Sequence, residues 1–146
     1  MDNLTNNKGF SLIEIMVVVV IMGILSTVFS LKIIDHIHDS KVARAKTDIQ
    51  TLESALDLYR MDNGIYPTTD QGLRALIEKP EISPLPARWR KGGYLKKPQL
   101  PIDPWNNEYV YLCPGINFDY DVISRGADGE MEGEDENKDI SSWEVD

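Results

Sequence analysis

Apolar and polar positions fall into distinct regimes along this chain. From Phe10 to Leu31, "FSLIEIMVVVVIMGILSTVFSL", the side chains are almost all apolar or small, and Glu14 is the only ionisable group. Beyond Lys32 the apolar positions narrow to one stripe. Ile33, Ile37, Val42, Ala45, Ile49, Leu52, Leu56 and Tyr59 recur at spacings of three to five, while Lys41, Arg44, Lys46, Asp48, Glu53 and Asp57 occupy the other faces. This periodicity predicts an amphipathic helix over 32–62. No Gly or Pro interrupts Ile24 through Asp62. The two regimes are therefore expected to form one helix of about 50 residues, about 75 Å long. It should stop at "DNG", with Gly64 as a left-handed cap.

A stripe of this kind needs a compact layer to cover it, and the rest of the chain supplies one. Thr68 and Gln71 have the spacing of a capping box, ahead of a short helix through Leu76 that ends before Pro80. "EISPLPARWRKGGYLKKPQLPIDPW" carries five prolines and reads as an ordered loop, so that 63–107 is short helix plus loop. Over 108–146, "EYVYLC" and "FDYDVIS" alternate as strands about a "PGIN" turn, and "ISSW" adds a short third strand. One sheet face is expected to carry Val110 and Leu112 with Phe118, Tyr120 and Val122. The predicted class is α+β: a long N-terminal helix packed on a small antiparallel sheet.

The apolar run has the 20 or so helical residues needed to cross a hydrocarbon core of about 30 Å. It exceeds the apolar region of an ordinary secretory signal, and no A-x-A site follows it. Lys8 and Lys32 flank it and orient it only weakly. A plain signal anchor satisfies these facts but leaves Glu14 unexplained. A carboxylate toward the bilayer interior costs roughly 2.5–3.5 kcal/mol, and something must offset that.

Charge and cysteine content narrow the functional classes. The net charge of the 146 residues is −9, concentrated near the end, where "SRGADGEMEGEDENKDISSW" lies. No basic stripe is present to displace phosphate counterions, which argues against a nucleic-acid partner. The one cysteine, Cys113, has no intramolecular disulfide partner. His36 and His38, two apart on a helix, point to different faces and read as solvated residues. In the acidic segment, Gly126, Gly129 and Gly133 allow tight turns, and such a density of oxygen donors suits Ca²⁺. An EF-hand counted from Asp128 would place Glu130 and Glu132 where shorter ligands are usual, and flanking helices are missing. That motif is rejected, which leaves either a solvated loop or a different calcium loop.

With these residues in view, the chain resembles the major pseudopilins of type II secretion systems, within the type IV pilin superfamily. "KGFSLIEIMVVVVIMGIL" is similar to their class III signal. "YPTTDQGL", "DPWNNEY" and "GADG…DISSW" are similar to their loop, sheet and calcium segment. The resemblance implies a pilin-like fold with a leader at 1–9, a transmembrane and polymerisation helix at 10–31, and a periplasmic domain at 32–146. It implies that prepilin peptidase cleaves between Gly9 and Phe10, that the Phe10 amine is methylated, and that Glu14 meets the Phe10 amine of a neighbouring subunit. It implies one Ca²⁺ held by Asp128 and Asp139, a carbonyl near Arg125, and contributions from Asn137 or Asp135. Asn137 stands where the family often has aspartate, and Asp135 where glycine is common. The chain also lacks the family's proline near Leu31, and Cys113 replaces the asparagine expected in "YLNPG".

The implied function is structural: an inner-membrane subunit with its N-terminus cytoplasmic, polymerising with itself into a periplasmic fibre that supports export of folded proteins. Minor pseudopilins, an assembly platform with its ATPase, and the peptidase are the implied partners. No catalytic set is visible, so no enzyme is expected. The alternatives are a type IV pilin for adhesion or motility, and a membrane-anchored calcium-binding module that never polymerises.

Overall fold

The structure, a computed structural model, describes residues 9–144, the side chains of 27–35 and 136 excepted. Residues 1–8 of the expected leader at 1–9, Lys8 among them, therefore lie outside the described residues, as do the side chains of Leu31, Lys32 and Ile33. The chain divides into two compact units, one through Ile37 and one from His38. Helix α1, Leu12–Asn63, contributes residues to both.

In the first unit the side chains of residues 12–26 are all exposed, with Leu12 at 79% and even the least open apolar one, Val18, at 46%. Apolar surface of this extent marks a face that meets lipid or other protein. Among the described residues, no helix is long and apolar enough to cross a membrane; the expected span, 10–31, runs into side chains outside that set.

In the second unit the predicted stripe is the core. Ala45, Ile49, Leu52, Leu56 and Tyr59 are fully buried, and Ala55 joins them at 2%. Val42 packs at the margin, whereas Ile37, the last residue of the first unit, is exposed. Each buried aliphatic side chain contributes about 1.5–3 kcal/mol. Gly64 ends the helix at φ +80°, and its N–H donates to the Arg60 carbonyl, as "DNG" predicts.

The capping box forms. Thr68 N–H donates to Gln71 Oε1 at 3.1 Å, and Gln71 N–H donates to Thr68 Oγ1 at 3.3 Å. The helix it was expected to start is only a 3₁₀ turn, Leu73–Leu76. Gly72, at φ +59°, interrupts the chain between box and turn. The proline-rich loop is held to this region by specific bonds. Gln71 Nε2 donates to the Ile82 and Pro84 carbonyls, Trp89 Nε1 to Ala75 O, and Tyr94 N–H to Leu76 O. Arg90, hydrogen-bonded to Asp62, holds that carboxyl below the usual range and ties the loop to the end of α1.

Three short antiparallel strands follow in the order β1 (Val110–Leu112), β2 (Asp121–Ser124), β3 (Ile140–Ser141). Tyr111 pairs with Val122 and Ile123 with Ser141. The class is α+β, as expected, but the face of β1 is reversed. Tyr109 and Tyr111 are buried against the helix, while Val110 and Leu112 are half-exposed. The phenols decide this. Tyr111 donates to Pro67 O at 2.8 Å and Tyr109 to Asp48 at 3.2 Å, so both rings enter the core with their hydroxyls satisfied. Burial, then the neighbouring Asp48, raises the Tyr109 phenol above its ordinary pKa. Phe118 is exposed, and Tyr120 precedes the strand rather than lying in it. The expected "PGIN" turn is a longer loop. It is anchored by fully buried Asp121, whose Oδ2 accepts the Ile116 N–H at 2.6 Å.

Leu52→Ala should lower the stability of the full chain in detergent by about 2–5 kcal/mol. Thr51→Ala, on the exposed face, should change it by no more than about 0.5 kcal/mol. Urea titration followed by tryptophan fluorescence measures both, and equal losses would contradict the assigned stripe.

Candidate functional site

Two regions carry the residues singled out from the sequence, one in each unit. The first is the start of α1. Gly9, Phe10 and Ser11 precede the helix and are exposed, Phe10 at 78%. The Ser11 carbonyl accepts N–H bonds from Glu14 at 3.0 Å and Ile15 at 3.2 Å, which closes the first turn. Ser11 and Glu14 have the S-x-x-E spacing of a capping box, a pattern the expectations above did not include. A carboxylate in the first turn also opposes the positive end of the helix dipole. Its side chain is exposed amid exposed apolar neighbours. The Gly9–Phe10 bond is thus non-helical, a few residues before a carboxylate that a single chain leaves without protein cover.

The second region is the acidic loop leaving β2. Gly126 and Gly129 take positive φ, as do Glu132 and Asp135. The two limbs of the loop touch. A Cβ on Gly126 would lie 2.6 Å from the Asn137 carbonyl oxygen, and one on Gly133 would collide with the same oxygen. Only glycine fits at either position. Arg125, at the exit of β2, donates from Nη1 to Gly129 O at 3.0 Å.

The expected calcium ligands are placed unevenly. Asp128 is exposed, its Oδ1 accepting Glu130 N–H at 3.1 Å. Asp139 is half-buried. Its Oδ2 accepts Glu132 N–H at 3.1 Å, and its buried Oδ1 finds no hydrogen-bond partner among the described residues. Asn137 brings its carbonyl, rather than its exposed side chain, to the centre of the loop. Asp135 is exposed and opens a 3₁₀ turn, Asp135–Asn137. Among the described residues, no three His, Cys, Asp or Glu side chains gather to hold a metal. The oxygens the loop does turn inward are the buried Asp139 Oδ1 and the Asn137 carbonyl. Ca²⁺ accepts such oxygens in mixed sets, and an orphaned buried carboxylate oxygen at Asp139 fits a cation there.

A groove of about 480 Å³ beside the loop is lined by His38, Val42, Lys46, Asp135, Lys138 and Asp139, among others. His38 is half-buried, its ring 6.5 Å from Trp105, rather than fully solvated as its sequence position suggested. Cys113 is half-exposed, and its N–H donates to Thr69 Oγ1 at 2.8 Å. Reading the sequence missed the turn at Asp103–Asn107, which is bonded to this loop. The signal was there in "DPWNN", a cluster of residues that build side-chain-capped turns.

Comparison with known proteins covers both regions. The family model described as type II secretion system protein G matches residues 32–143, and the prokaryotic N-terminal methylation motif matches 4–30. The chain is 50% identical over 137 residues to the type II secretion system core protein G of Pseudomonas aeruginosa, covering 94% of this chain and 95% of that one. It is 46% identical over 145 residues to the core protein G of Vibrio cholerae, covering 99% and 97%. In three dimensions it is similar to the crystal structure of the major pseudopilin from the type 2 secretion system of enterohaemorrhagic Escherichia coli. That match has a TM-score of 0.68 at 42% identity, over 76% of this chain and 93% of the other.

Gly133→Ala should open the acidic loop without unfolding the sheet. Amide exchange should quicken across 126–139 and stay unchanged in Val110–Leu112. Unaltered exchange in the loop would contradict the close approach to Asn137.

Proposed function

This chain belongs to the protein G family of the type II secretion system and is a major pseudopilin, a pseudopilus subunit; on that premise we propose how its N-terminus and its acidic loop serve the fibre. Prepilin peptidase cleaves between Gly9 and Phe10, and the new Phe10 amine is methylated. In the fibre, Glu14 of one subunit pairs with the Phe10 amine of the next. The observation that carries this reading is the wholly exposed apolar start of α1 with Glu14 in its first turn, inside the matched methylation motif.

The magnitudes are compatible. Two unit charges 4 Å apart attract by about 4 kcal/mol at an effective dielectric of 20. Placing the carboxylate in lipid costs roughly 2.5–3.5 kcal/mol. A correctly placed neighbour offsets the cost, and a misplaced one leaves it standing. The same carboxylate therefore selects register while the apolar side chains supply adhesion.

Residues 10–31 anchor the subunit in the inner membrane with its N-terminus cytoplasmic, and 32–146 lie in the periplasm. The fibre is a homopolymer working with minor pseudopilins and the assembly platform with its ATPase. We read the chain as a structural part and not an enzyme. The protein G match over 32–143 favours the pseudopilus over a surface pilin or a non-polymerising calcium module.

A calcium ion fits the acidic loop. Asp128 and Asp139 would hold it with a carbonyl near Arg125, and Asn137 or Asp135 would contribute. Bound there, the ion supplies positive charge and hard coordination that tie the two limbs together. The orphaned Asp139 Oδ1 supports this reading.

Mass spectrometry of the mature chain should show a methylated Phe10 at its N-terminus; an intact leader would contradict the processing proposed. Glu14→Ala should insert into membranes normally yet form no fibres, and normal fibres would remove the pairing. EGTA should lower the Tm of the full chain in detergent by several degrees through loss of native-state binding. An unchanged melting curve would defeat the calcium proposal.

A further inference from the structure

The acidic loop does not stand alone; a neighbouring turn grips its entrance. Asp103 is 3% exposed, and its carboxylate bonds both its own turn and β2. Oδ1 accepts the N–H groups of Trp105 at 3.0 Å and Asn107 at 2.7 Å, and Oδ2 accepts the Ser124 hydroxyl at 2.7 Å. Asp103 N–H in turn donates to the Asn107 carbonyl at 2.9 Å. Asn107 is thus fixed through both of its backbone groups.

Its side chain then reaches the loop. Asn107 Nδ2 donates to the Gly126 carbonyl at 3.1 Å. On its other side Oδ1 faces Gly129 so closely that a Cβ there would lie 3.2 Å from it. One amide therefore spans the first limb of the loop, from Gly126 to Gly129. Gly126 is also the residue that abuts the Asn137 carbonyl of the returning limb. The chain of contacts runs from buried Asp103, through Asn107, to the point where the two limbs meet.

From this geometry we infer that Asn107 is a positioning residue for calcium, holding the entry limb against the return limb before the ion arrives. The inference rests on the calcium reading above. Its physical basis is preorganisation: a flexible loop must be ordered at the moment of binding, and that ordering subtracts from affinity. Groups that orient ligands without touching the metal typically change its affinity 10–100-fold when removed.

Two variants of the full chain in detergent test it, by calorimetric titration with CaCl₂ and by melting in EGTA. Asn107→Ala should weaken calcium binding about 10–100-fold, with the sheet intact by circular dichroism. Asn107→Asp keeps the shape and adds a negative charge beside the loop. Charge alone would tighten binding, whereas loss of the donor loosens it, and weaker binding than the parent chain is expected. If Asn107→Ala lowers the Tm equally with calcium and in EGTA while its affinity matches the parent, the residue is merely structural and the inference fails. An Asn107→Asp chain that binds as tightly as the parent, or more tightly, also overturns it. Asp139→Ala separates the two levels: loss of binding there with Asn107→Ala unchanged removes this inference alone. A parent chain that takes up no calcium removes the calcium reading with it.

Discussion

One helix in this protein must satisfy two different surroundings. Over residues 45–59 of α1, a single stripe is buried to completion and the remaining faces are polar. Over residues 12–26 every side chain is exposed and nearly all are apolar. The first arrangement is complete within one chain. The second is not, because so much open apolar surface is stable only when lipid or other subunits cover it. Membership of the pseudopilin family gives that requirement a meaning: the subunit is built to be finished by its neighbours.

The second unit, from His38, meets the opposite demand, since it must hold shape with little regular structure. Its strands are two to four residues long. Buried polar groups take over where ladders are short. Asp103 organises the turn before β1, and Asp121 organises the loop before β2. The Thr68–Gln71 box and the two further bonds from Gln71 fix the proline-rich loop. Each of these groups is costly to bury unpaired, so each specifies one local conformation. Asn107 ties the acidic loop to this frame through its bond to the Gly126 carbonyl.

Much of this was legible in the sequence, and the exceptions have physical causes. The helix declared itself by period, and Gly64 by its place after Asn63. The inward face of β1 was misread because Tyr109 and Tyr111 look amphipathic in sequence, and only the structure supplies Pro67 O and Asp48 as hydroxyl partners. The helix expected after Thr68 shrank to one 3₁₀ turn because Gly72 takes positive φ, which composition does not dictate. Asp103 and Asn107 escaped notice because their function depends on contacts about 20 residues away in the chain. Asp128, Asp135 and Asp139 come from the family resemblance, whereas the abutment of the Asn137 carbonyl on two glycines with no room for a side chain depends on how the two limbs fold together.

At the start of α1, Glu14 is the group on which the proposed assembly turns. At the helix start it suits the dipole and the S-x-x-E pattern with Ser11. In the fibre proposed above, it gains a charged partner only if the subunit beside it sits in register. A reconstruction of the purified fibre at side-chain resolution tests this most directly. The account predicts the Glu14 carboxylate within about 4 Å of the methylated Phe10 amine of an adjacent subunit. A carboxylate facing water or bare acyl chains, with no amine near it, would contradict the account.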